Sequence, residues 1–319
     1  MNMVNGTAPR PFVHRALVPT LVRLGAGALP AGWKQAIDAG IARHVSPRIR
    51  QQKWPGGHEC EFALALALVV LSLLGFMLAL RRLIREFYRA SPWVSGLLPV
   101  VAVWLLPVFF SAGTHFVYDF PALFLFTLLL LFMWRRSWCW FYPVYVLALL
   151  NKETAVFVTL VFAFHFRSRL PRREFHAHLF SMFGLFFLIK SGLSLAFAGN
   201  PGPLLEWHLR DNLFALITPF SLGAASDFAL VLLLTFHDFR QKPRFLRDAL
   251  VIAVPLLALQ VPFGVWGEIR VYYEVYPALF LLMAHSALGF VGLARAPEGR
   301  GDPRTTAPGS AAGKGPAPG

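Results

Sequence analysis

The string Asn151-Lys152-Glu153-Thr154 sets an ammonium and a carboxylate inside apolar sequence, with 141–150 on one side and 155–166 on the other. Ionisable groups at that depth are expensive and mark function. A lysine there can hold a phosphate or pyrophosphate as a point charge. Neighbouring residues point apart on a helix, so Lys152 and Glu153 each need their own partner. A second carboxylate, Asp119, follows Tyr118 at the mouth of another apolar run, with Pro121 two residues on. That placement fits a helix cap. A third group reads Trp266-Gly267-Glu268-Ile269-Arg270-Val271-Tyr272-Tyr273-Glu274. Arg270 suits anion recognition, and Glu268 can orient it or act as a base. The segment 199–211, with Glu206, Trp207, His208 and Arg210, is a candidate cover for such a site.

The elements that must carry these groups are membrane helices. Of 319 residues, 56% are hydrophobic and 14% are charged. A soluble domain has roughly 25% charged residues. The expected fold is an all-α polytopic transmembrane bundle of about nine spans. They fall near 61–80, 94–112, 120–134, 139–150, 155–166, 177–198, 214–236, 247–264 and 275–294. Two of them, 139–150 and 155–166, are half-length helices around Lys152, an arrangement that puts a polar tip in a wet cavity. Segments 81–93, 135–138, 167–174 and 237–247 hold fourteen Lys/Arg, against Lys152, Arg210 and Arg270 in the alternate segments. The positive-inside rule puts the basic set in the cytoplasm, with the C-terminus. The net charge of +14 is thereby explained by topology, and nucleic acid is not an expected partner.

Three regions follow: 1–60 as an outer-face amphipathic segment, 61–294 as the transmembrane core, and 295–319 as a disordered cytoplasmic tail rich in Gly, Pro and Ala. Trp33, Ile37, Ile41 and Val45 recur at steps of four and predict one apolar stripe. Nine spans with an inner C-terminus leave the N-terminus outside. Residues 1–60 carry eight Lys/Arg and no signal peptide, so a first span is expected upstream of this sequence in a full-length relative. Lys190, deep in its run, is expected to snorkel or to pair with a carboxylate such as Asp227. Cys60 and Cys139 have no metal or framework spacing. No Walker loop, nucleotide fingerprint, hydrolase elbow or zinc motif occurs, which argues against direct ATP use and indicates neither cofactor nor metal.

The order Pro11-Phe12-Val13-His14-Arg15-Ala16-Leu17-Val18-Pro19, Tyr118-Asp119, Leu150-Asn151-Lys152-Glu153-Thr154-Ala155, Gly267-Glu268-Ile269-Arg270 and Tyr276-Pro277 resembles that of uncharacterised bacterial multi-pass membrane proteins. Those are similar to the C-type (polyprenyl-phosphate-dependent) glycosyltransferase superfamily. The resemblance spans about 10–294. It implies a site at the outer leaflet of the bacterial inner membrane, a polyprenyl-phosphate sugar as donor and membrane lipid as the surrounding partner. Arg15, Lys152 and Arg270 become the expected contacts to the lipid phosphate. Asp119, Glu153 and Glu268 become the expected catalytic or orienting carboxylates. The superfamily's usual catalytic carboxylate lies in the first outer loop, and neither Asp38 nor Glu59 stands in a matching motif, so no catalytic base is carried over from the superfamily and the three carboxylates are read from this sequence alone. Two other functions use the same features: a transporter or flippase of an anionic lipid or sugar, and a non-catalytic membrane partner or truncated remnant.

Overall fold

The structure is a computed structural model that describes residues 2–44, 57–110, 116–216, 222–265 and 269–292. Every regular element among them is helical. Two short helices, α1 (Leu17–Ala28) and α2 (Ala31–His44), precede the long α3 (Glu59–Phe87). Then come α4 (Pro92–Phe110), α5 (Asp119–Trp134), α6 (Trp138–Asn151) and α7 (Val158–Phe166). The second half holds α8 (Arg172–Ala196), α9 (Leu209–Leu216), α10 (Leu222–Phe236), α11 (Arg244–Ala249), α12 (Ala253–Phe263) and α13 (Tyr276–Phe290).

Among the described residues three stretches are long and apolar enough to cross a membrane: α3, α8 and the near-continuous Arg244–Phe263. The other runs expected to span form shorter apolar helices among the described residues. Of the expected 214–236, residues 214–216 fall in α9 and 222–236 in α10, while 217–221, Glu268 and the tail 295–319 lie outside the described residues. The long helices show why this is a membrane-type surface. Along α3, Leu66, Val70, Leu74 and Leu78 are exposed at steps of four, while Phe76, Leu80, Leu83 and Ile84 are buried. On α8, Phe180, Phe187, Leu188 and Leu195 are exposed. Contiguous apolar exposure on this scale needs a lipid or protein cover.

Direction along the bundle follows from a few contacts. Phe87, at the end of α3, packs on Trp134, at the end of α5, with ring centroids 4.7 Å apart. Beside them Arg135 binds Glu86 at 2.5 Å. The two helices are therefore parallel. They approach closely at Gly75, where an added Cβ would sit 2.7 Å from the Phe124 ring. The α6–α7 pair is antiparallel. Trp138 at its start meets Phe162 and Phe166 at its end, and the Tyr145 hydroxyl lies 3.4 Å from that of Thr159. Phe245 packs on Phe87 and Trp134. His165, on the same end, bonds Asp248 and Arg169 at 2.7 Å each. All four basic segments thus meet at one end of the bundle.

Lys242 ties α10 to α13. Its ammonium donates to the carbonyls of Leu234, Thr235 and Leu282 at 2.7–2.9 Å. Two of those are C-terminal carbonyls of α10 that lack helical partners.

At the N-terminus α1 is the amphipathic helix, with Val18, Val22 and Ala26 buried and Leu21 and Leu24 exposed. The stripe expected in α2 is split: Trp33 is exposed while Ile37 and Ile41 are half-buried. The reason is polar anchoring, because Lys34 binds Glu61 at 2.7 Å and Asp38 accepts the Cys60 N–H at 2.7 Å. These bonds fix which side of α2 faces α3.

Candidate functional site

The α6–α7 hairpin breaks where the polar string falls. Helix α6 ends at Asn151, Lys152 is extended (φ −159°, ψ 129°), and a 3-10 turn over Glu153–Phe157 leads into α7. The buried Asn151 amide donates to the Tyr118 carbonyl at 2.9 Å, pinning the hairpin tip to the start of α5. This tip is at the end of the bundle opposite the basic segments.

Four elements converge there. From the tip, Lys152 pairs with Glu274 at 3.0 Å, and the Thr154 hydroxyl donates to the same carboxylate. Lys152 is 7% exposed and Glu274 1%. Before α13, Arg270 reaches Asp119 at 3.6 Å and the Tyr118 hydroxyl at 3.4 Å. The N-terminal segment brings Arg15 to that same hydroxyl. Its guanidinium lies 4.3 Å over the Tyr118 ring, and that of Arg270 lies 4.1 Å over Phe116. Phe116 and Tyr118 stack at 5.3 Å, so two cations cap one aromatic pair.

Residues 2–16 form a strap across this end. Asn200 donates to the carbonyls of Gly6 and Ala8 at 2.8 and 2.9 Å, and the Arg10 N–H donates to Pro201 at 2.8 Å. Gly202 (φ +96°) permits the close approach, because a Cβ there would stand 2.8 Å from the Arg10 carbonyl oxygen. The segment expected to cover the site therefore anchors the strap, and the strap does the covering.

The structure brings together Arg15, Asp119, Lys152 and Arg270, with Glu153 facing the charges of Arg15, Lys190 and Lys152. Asp119 does not cap α5. Its Oδ2 accepts the Phe116 N–H at 2.8 Å, three residues upstream, because it is the first residue inside the helix and Tyr118 occupies the cap. Lys190 stands 3.4 Å from His14 Nδ1 and close to Glu153. Folding of the strap onto α8, which sequence spacing does not encode, made these its neighbours rather than Asp227. Glu274, Tyr118 and Thr154 were not singled out as site residues. The density of polar groups in 266–276 was the available signal for Glu274, and adjacency to Asp119 was the signal for Tyr118.

Four cations (Arg15, Lys152, Lys190, Arg270) face three carboxylates (Asp119, Glu153, Glu274). Asp119 Oδ1 and Glu274 Oε2 are buried without a hydrogen-bond partner. Buried acceptors left unsatisfied are uncommon and point to a strained or functional centre. The arrangement can bind an oxyanion through the cations and exchange a proton through a carboxylate. No family model matches the chain, and neither does any curated protein or solved structure.

Proposed function

We propose that this is a multi-pass protein of the bacterial inner membrane and that its polar centre acts on a polyprenyl-phosphate sugar at the outer leaflet, in the manner of a glycosyltransferase. The carrying observation is the group of half-buried Arg15 with buried Lys152 and Arg270 among carboxylates, at the end of the bundle away from the basic segments. With those segments and the C-terminus in the cytoplasm, the site faces outward.

Length sets its depth. The 14 residues of α6 rise about 21 Å, against a hydrocarbon thickness of about 30 Å. A basic end anchored at the inner interface leaves the Lys152 tip roughly 9 Å below the outer one. The 25 residues of α8 reach the full thickness and wall the recess. A lipid-borne phosphate reaches such a depth without leaving the bilayer. There the cations hold the phosphate, and a carboxylate takes the proton of the attacking hydroxyl.

The test is binding of undecaprenyl phosphate to the protein in nanodiscs. Lys152→Ala and Arg270→Ala are each expected to weaken it at least about tenfold, the loss of one charge-assisted contact. Wild-type protein that shows no binding sinks the reading. The interrupted α6–α7 hairpin also favours a second reading, transport of an anionic lipid or sugar. Vesicle uptake of labelled substrate without a covalent product would select it.

A further inference from the structure

A small pocket lies beside the cation group, between the strap, the hairpin tip and α8. It is lined by His14, Glu153 and Lys190 and walled by Leu149, Phe186 and Ile189. It has room for about one water-sized oxygen. His14 is 2% exposed, and its Nε2 has no hydrogen-bond partner. Nδ1 faces the Lys190 ammonium at 3.4 Å and must accept from it, so a neutral ring carries its proton on Nε2. Burial, then the Lys190 charge, holds His14 below its usual range and hence neutral. The pocket therefore presents an ammonium, positioned by the His14 ring, and a carboxylate.

The three carboxylates of the site differ in availability. Asp119 is committed to the Phe116 N–H and Arg270, and Glu274 to Lys152 and Thr154. Their remaining oxygens are sealed from solvent. Among the described residues Glu153 makes neither an ion pair within 4 Å nor a side-chain hydrogen bond to another residue, and it faces the pocket. A phosphate would be repelled by Glu153. A hydroxyl satisfies both Lys190 and Glu153, accepting from the ammonium and donating to the carboxylate.

We propose that this pocket is a hydroxyl subsite, in which Lys190, positioned by His14, holds the oxygen of an alcohol and Glu153 takes its proton. The inference rests on the glycosyltransferase reading for its chemistry. The acceptor O–H bond breaks and its proton passes to the Glu153 carboxylate. The oxygen lone pair forms the bond to the anomeric carbon. The bond from that carbon to the phosphate oxygen breaks, and its electron pair leaves on the phosphate, beside Arg15, Lys152 and Arg270.

The experiment uses the full chain in nanodiscs with 15N-labelled histidine and glycerol as the hydroxyl probe, His14→Gln assigning the His14 resonance. The His14 ring signals are expected to shift along a saturating curve while the other histidines do not. Lys190→Met should weaken the apparent affinity about tenfold, with folding checked by an unchanged far-UV circular dichroism spectrum and unchanged signals of the other histidines. An unmoved His14 signal, or a shift unaffected by Lys190→Met, in protein that binds undecaprenyl phosphate overturns the subsite alone. A saturating, Lys190-dependent shift in protein that does not bind undecaprenyl phosphate overturns the glycosyltransferase reading and leaves the hydroxyl site standing. Neither response overturns both.

Discussion

Lys152→Met tests whether the hairpin tip is held by charge. Lys152 and Glu274 are 3.0 Å apart and both nearly fully buried. At an effective dielectric of about 20 their attraction is roughly 5 kcal/mol, against about 1.4 kcal/mol in water. Much of it offsets the cost of removing both charges from solvent, so the pair need not stabilise much in net terms. Breaking it is a different matter. The variant leaves the Glu274 carboxylate buried, with the Thr154 hydroxyl as its remaining donor from the tip. Removing one partner of a buried pair costs about 3–5 kcal/mol. Thermal unfolding at a fixed scan rate, followed by tryptophan fluorescence, should show the apparent midpoint lowered by roughly 5–8 °C. The double variant Lys152→Met/Glu274→Gln removes the stranded charge and should recover most of the loss. A single variant within about 0.5 kcal/mol of wild type, or a double variant that is simply additive, refutes the coupling.

Other expectations follow from individual contacts. Gly75→Ala drives a methyl against the Phe124 ring and should cost about 1–3 kcal/mol, read in the same unfolding assay. Lys242→Met deprives three carbonyls of a charged donor. It should cost about 2–4 kcal/mol and raise hydrogen exchange at the end of α10 ahead of α3. His14 is held below its usual value of 6.5 by burial first and by Lys190 second. The unfolded chain binds the proton more readily, so His14 opposes folding increasingly as pH falls below 6.5. Stability measured from pH 7 down to 5 should decline, and the His14→Gln variant should decline less. Equal slopes would remove His14 as the cause. Arg15→Ala loses the contact to the Tyr118 hydroxyl and the stack on its ring, and proteolysis within residues 2–16 should accelerate.

What sequence determined about this protein was one-dimensional. Composition and the spacing of apolar runs required helices, because a lipid-facing chain must satisfy its backbone internally. The charged string at 151–154 forced a helix break, since an ammonium and a carboxylate could not stay in an uninterrupted apolar rod. The basic segments could be grouped by counting alone, and Phe245, Trp134 and His165 then meet at one end. The burial of α2, graded from exposed Trp33 to half-buried Ile41, follows from the Lys34–Glu61 and Asp38–Cys60 contacts, which decide its rotation and both depend on α3.

Partners were the part that only tertiary structure decided. Lys152 and Glu274 are 122 positions apart, His14 and Lys190 are 176, and Arg15 and Tyr118 are 103. Nothing in local spacing selects Glu274 over other carboxylates, or His14 over Asp227. The selection comes from the strap closing over the hairpin tip. Packing there brings each charge to its neighbour, and burial makes the resulting pairs obligatory.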